Sequence, residues 1–175
     1  NKSGQVIESQ CCTCEKGYFC PGGRVRTECP KGKYGTNISQ VTVLTGCNSC
    51  DTGHYCGGKR SKIPCRPGTY TNASGKAHAI DCLECTLGRW NNETGLSAYI
   101  CKQCGKGKFT NHEGSINCTV CPKGRFQNVS GEKVNACKRC VQGQYSDSVS
   151  TILCKHCMAG KFGNTSEQSS ETSCY

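Results

Sequence analysis

Bulky apolar residues are scarce in this chain: Ile, Leu, Val and Phe together supply 25 of its 175 residues. A fraction that low reads as disordered unless something other than a hydrophobic core ties the chain down. No apolar run exceeds four residues, so no membrane insertion is expected within this segment. No charged start followed by an apolar stretch and small residues appears, so no signal peptide is read in it. Cations never run beyond two in a row, and the net charge of +10 comes with no nucleic-acid motif. It reads as a solvated basic surface, with no nucleic-acid partner expected. Helical periodicity is missing throughout, and no phosphate loop or paired-carboxylate site appears.

What is abundant is cysteine, at 20 residues. Small secreted domains replace core burial by disulfides, which persist only in oxidising compartments. The cysteines are periodic. Cys14, Cys29, Cys50, Cys65, Cys85, Cys104, Cys121, Cys140 and Cys157 lead the repeats, and a glycine stands third after each of the nine. An aromatic stands fifth: Phe19, Tyr34, Tyr55, Tyr70, Trp90, Phe109, Phe126, Tyr145 and Phe162. Most repeats run on to a closing cysteine, two further residues and the next leading cysteine, as in Cys137-Lys-Arg-Cys140. Two are short, with a cysteine directly after the aromatic (Cys20 and Cys56). The units are therefore 14–28, 29–49, 50–64, 65–84, 85–103, 104–120, 121–139, 140–156 and a truncated 157–175, preceded at 1–13 by the end of another repeat. The glycine permits a positive-φ turn. The aromatic two residues later is expected to fold over the disulfide as the core of its repeat.

Segments such as CRPGTYTNASGKAHAIDCLEC (65–85) and CPKGRFQNVSGEKVNACKRC (121–140) resemble ephrin-receptor-like cysteine-rich repeats. They are also similar to the hairpin module that opens tumour necrosis factor receptor cysteine-rich domains. The resemblance covers 14–175 and implies small disulfide-rich units, mostly β-hairpins and turns with little helix, in an elongated tandem array. Spacing alone leaves connectivity open. The repeat and the resemblance together imply Cys14–Cys20, Cys29–Cys47, Cys50–Cys56, Cys65–Cys82, Cys85–Cys101, Cys104–Cys118, Cys121–Cys137, Cys140–Cys154 and Cys157–Cys174. Cys11 and Cys12 stay unassigned. Cys11 reads as the closing cysteine of a repeat begun before Asn1, and both ends read as cut inside the pattern. Each unit is expected to touch mainly its neighbours, because two-residue linkers leave no slack for folding back.

Paired CxxC motifs also hold zinc, but five such knuckles between Cys82 and Cys157 are an odd number, and no metal site is expected. A redox CxxC needs a strand-to-helix setting with apolar strands, which is not visible. His54, His78, His112 and His156 fall at different repeat positions with no carboxylate at a recurring offset. No catalytic residues are expected, and the chain does not read as an enzyme.

Seven of the eleven asparagines open an Asn-x-Ser/Thr acceptor: Asn1, Asn37, Asn72, Asn92, Asn117, Asn128 and Asn164. Four of these stand seventh after a leading cysteine, at a turn-like Asn-x-Ser/Thr stretch. N-linked glycans are the expected covalent groups. Two functions fit. One is an extracellular structural glycoprotein, a disulfide-clipped rod in a cell-surface coat, appendage or filament, with other copies or repeats as partners. The other is the ligand-binding or stalk region of a receptor or protist surface antigen. Near-uniform repeats without an exposed apolar cluster favour the first. Either reaches the cell surface or exterior by the secretory pathway.

Overall fold

The computed structural model describes residues 14–175 except 24, 99, 134 and 135; Asn1, Cys11 and Cys12 lie outside the described residues. Among the described residues the chain forms eight two-stranded antiparallel hairpins. Seven pair strands of two residues, such as Lys33–Tyr34 with Asn48–Ser49 and Arg125–Phe126 with Lys138–Arg139. The longer one pairs His54–Gly58 with Ser61–Pro64 in a short repeat. Each hairpin brings the residues after a glycine alongside the linker that leads into the next repeat. Single helical turns at Val43–Gly46, Ala79–Asp81 and Glu171–Ser173 deliver the closing cysteines Cys47, Cys82 and Cys174. Thr42 and Ser170 cap two of them, their side chains accepting from the Thr45 and Thr172 amides.

Nine disulfides close the described chain, joining Cys14–Cys20, Cys29–Cys47, Cys50–Cys56, Cys65–Cys82, Cys85–Cys101, Cys104–Cys118, Cys121–Cys137, Cys140–Cys154 and Cys157–Cys174. Each closed loop is a clip. A loop of about 15 residues closed this way gains on the order of 3 kcal/mol from entropy removed from the unfolded chain.

Backbone bonds join one clip to the next, and the same positions make them at most joints. The chain forms two compact units. The first holds residues up to 66 with 70–83 and 94–98, the second 67–69, 84–93 and 100–175. Take the leading cysteine as zero. In the first unit the third-position amides of Gly32 and Gly53 donate to the sixth-position carbonyls of Cys56 and Thr71, both at 2.8 Å. In the second unit Gly68, Gly107, Gly124 and Gly143 donate likewise to Asn91, Gln127, Ser146 and Gly163, at 2.7–2.9 Å. Gly88 donates instead to the Thr110 hydroxyl. The sixth-position amide then donates onward to the eleventh-position carbonyl of the next clip, as in Cys56 to Lys76 and Gln127 to Thr151. The tenth-position amide donates back to the previous leading cysteine, as in Gly75 to Cys50 and Gly131 to Cys104. Three backbone bonds therefore make a joint.

Contact also reaches the clip beyond the neighbouring one. Gly88 of the fifth clip has φ of 80°, and a Cβ there would overlap the carbonyl oxygen of Gly131 in the seventh. Gly68 meets Gly114, again two clips on, in the same manner. The cause is the hairpin, which lays each leading cysteine beside the previous glycine: the Cys104 amide donates to the Gly88 carbonyl at 2.9 Å. The loop that bonds to that cysteine then covers the glycine as well.

The aromatics differ from the core role expected of them. Phe19, Tyr34, Tyr55, Tyr70, Trp90, Phe109 and Phe126 are half-buried, only Tyr145 is buried, and Phe162 is 56% exposed. Burial goes instead to the disulfides and to the sixth position, buried in all nine clips. The rings flank that centre, and three of them, Tyr34, Trp90 and Tyr145, have a lysine over one face. Lys102 lies 5.3 Å from the Trp90 ring centre and Lys155 5.8 Å from that of Tyr145, close enough for cation–π attraction.

Gly143 has the same kind of backbone, with φ of 74°, but a Cβ there meets nothing among the described residues within 4 Å. This gives a paired test. Gly143→Ala should cost only the left-handed backbone strain, about 1–2 kcal/mol. Gly88→Ala must add a backbone clash and should cost roughly 2–4 kcal/mol. Thermal unfolding of both variants under oxidising conditions checks the ranking; equal losses would contradict the close approach.

Candidate functional surface on the clip turns

The acceptor asparagines stand on turns whose shape is set from beneath. The sixth position of the nine clips is Cys20, Gly35, Cys56, Thr71, Asn91, Thr110, Gln127, Ser146 and Gly163, all buried. Water has been excluded from polar side chains here, so each needs an internal partner. Thr71, Asn91, Gln127 and Ser146 find it two residues on, while the Thr110 hydroxyl accepts from the Gly88 amide. The Asn91 amide donates to the Glu93 carbonyl while its oxygen accepts from the Glu93 amide, both at 2.9 Å. Gln127 accepts from the Val129 amide at 2.9 Å and donates to the Ala136 carbonyl at 2.5 Å. The Thr71 hydroxyl donates to the Ala73 carbonyl at 3.5 Å.

At Thr71, Asn91 and Gln127 the residue held is the middle one of an acceptor triplet: Asn72-Ala73-Ser74, Asn92-Glu93-Thr94 and Asn128-Val129-Ser130. The chain turns outward between the buried sixth residue and the next, so Asn72, Asn92, Asn128 and Asn164 are exposed. Asn37 is exposed one residue later, and Asn117 is exposed beside the disulfide-bonded Cys118. The turn ends at the tenth position with a positive-φ residue, glycine in four clips, Ser39, Ser150 or Glu167 in others. At Glu167, with φ of 65°, the carboxylate binds Arg125 at 2.5 Å and Arg139 at 3.2 Å. The Arg125 guanidinium holds this carboxyl below the usual carboxylate range, and Arg139 adds to the effect.

The histidines serve local structure. His112 Nδ1 lies 2.7 Å from the Ser115 hydroxyl, which resembles a nucleophile–base pair. Ser115 is 2% exposed, however, and its hydroxyl hydrogen goes to the His112 carbonyl at 2.7 Å. The pair braces the loop whose Ser115 carbonyl accepts from the Asn91 amide. His54 Nδ1 is 3.1 Å from the Thr52 carbonyl, and His156 Nε2 lies 3.4 Å from Gln144. His78 caps the turn that starts at Ala79.

Sequence reading missed the buried sixth position. Its signal was composition: cysteine, glycine, threonine, asparagine, glutamine or serine at every clip, never a charge and never a bulky hydrophobe. If Gln127 shapes its turn, Gln127→Ala should destabilise the chain by about 1–3 kcal/mol, because the Val129 and Ala136 backbone groups lose their partner. Amide exchange at Val129 should quicken in the same variant. An unchanged Val129 rate would show that the turn holds without the side chain.

No protein-family model matches this chain, and no curated protein matches its sequence.

Proposed function

We propose that this chain is an extracellular structural glycoprotein, in which joined disulfide clips build part of a cell-surface coat, appendage or filament. The observation that carries the reading is the sameness of the joints. Within each unit most joints use the same three backbone bonds, with exceptions at Gly88, which bonds the Thr110 hydroxyl, and at the short clip of Lys59, and backbone groups are indifferent to the side chains between them. Such a joint suits an assembly of near-equal units, whereas a ligand-binding stalk depends on the clips that differ. Nine disulfides suit an oxidising environment. Among the described residues no helix is long and apolar enough to cross a membrane. The resemblance to ephrin-receptor-like repeats supports the same setting.

On this reading the partners are further repeats or other copies, arranged as an extended array. N-linked glycans occupy the exposed asparagines, with Asn72, Asn92, Asn128 and Asn164 at equal places in their clips. Sugars there would shield turns and blunt the open edges of two-stranded hairpins, which otherwise invite pairing with other chains. Intact-glycopeptide mass spectrometry of native material tests this. The expected result is high occupancy at those four asparagines; four largely bare sites would remove both the glycan cover and the preference for a structural role.

A further inference from the structure

The fifth and sixth clips depart from the others at two positions. The fifth-clip aromatic is Trp90, the sole tryptophan of the chain, where the other eight clips have Tyr or Phe. The residue after the sixth leading cysteine is Gly105, where every other clip carries a side chain, from Glu15 and Pro30 to Val141 and Met158. Gly105 has no positive φ and no neighbour within 4 Å of a would-be Cβ. The fold itself therefore does not need glycine there. What glycine leaves is open floor.

Both departures act at one place. An open groove of about 450 Å³ in the second unit is lined by Trp90, Gln103, Gly105, Lys106, Lys108 and Asn117. Its volume falls in the ~300–1,000 Å³ range of small-ligand sites. Lys102 lies over the Trp90 ring and is neutralised by Glu93 at 3.0 Å. Lys106 and Lys108 are exposed and have no carboxylate partner among the described residues. The groove thus combines a half-buried indole, the Gln103 side-chain amide, the Asn117 acceptor and two uncompensated ammonium groups.

We propose that this groove binds an anionic saccharide, a sugar ring bearing a carboxylate or sulfate. An indole has two apolar faces; Lys102 lies over one, and the other is the one against which the C–H face of a sugar ring can lie. The Gln103 amide supplies donors and an acceptor, as ring hydroxyls require. Lys106 and Lys108 supply point charges for the anionic substituent, in charge-assisted hydrogen bonds. A phosphate or a bare carboxylate would use the lysines but leave the indole idle. A neutral sugar would use the indole but not the lysines. The saccharide has two sources, a separate glycan of the surroundings or the glycan of Asn117 itself.

The sole tryptophan lies in the groove, so its fluorescence reports on this site alone. The oxidised full chain and its Asn117→Gln variant are titrated with a chondroitin sulfate tetrasaccharide, and with maltotetraose as the neutral control. A saturable change is expected with the sulfated probe and not with maltotetraose. Lys106→Ala with Lys108→Ala should weaken it about tenfold or more, while Lys31→Ala in the first unit should not change it. A response in both chains assigns the site to a separate saccharide. A response in Asn117→Gln alone assigns it to the chain's own glycan. No saturable change in either chain, or an unweakened one in the double lysine variant, overturns the proposal.

Discussion

The hydrogen bond from the glycine amide of one clip to the backbone of the next is the contact on which the other features depend. It explains how a chain with so few bulky apolar groups stays ordered. A single clip owns one disulfide, one half-buried ring and a two-residue strand pair, too little to hold a unique shape alone. Joined to its neighbour, it gains partners for the third, sixth and tenth amides, the backbone groups that would otherwise be buried and unsatisfied. At Gly68 and Gly88 the glycine is required twice over, for its positive φ and because the loop two clips on lies against it. A methyl group there would push that loop, and with it the bond to the leading cysteine, out of place.

A joint made of backbone leaves the side chains free for other work. The outward turns carry asparagines, the hairpin faces carry lysines over aromatic rings, and neither is spent on holding clips together. That division lets the surface vary from clip to clip without altering the array. Trp90 and Gly105 line a groove in the second unit; the joint between their clips has Gly88 bonded to the Thr110 hydroxyl, while the next joint, Gly107 to Gln127 at 2.8 Å, keeps the common form. A repeat protein can in this way carry a private surface on one clip.

The unit of the fold was legible in the sequence because it rests on covalent and conformational demands. Glycine at the third position and cysteines at both ends of each clip announce a turn and a staple, and the hairpins of Lys33–Tyr34 or Arg125–Phe126 follow from them. The aromatic misled. Its strict recurrence reads as core, yet the ring flanks the disulfide and leaves one side to solvent, since a two-stranded hairpin has no second layer to cover it. The sixth position was silent for the opposite reason. Gln127 and Asn91 are buried by backbone packing rather than by hydrophobicity, so no apolar pattern marks them. The reach of Gly88 to Gly131 could not be read either, because carbonyl groups have no letter of their own.

The central claim is that inter-clip backbone bonds, more than side-chain packing, hold the array. Native-state amide hydrogen exchange by NMR on the oxidised chain tests it most directly, since protection reports each bond separately. The account predicts that the joint amides of Gly68, Gly107, Gly124, Gln127 and Gly131 exchange together and are among the slowest of the chain. Joint amides that exchange as freely as exposed turn residues, with protection confined to amides bonded inside single clips, would contradict it.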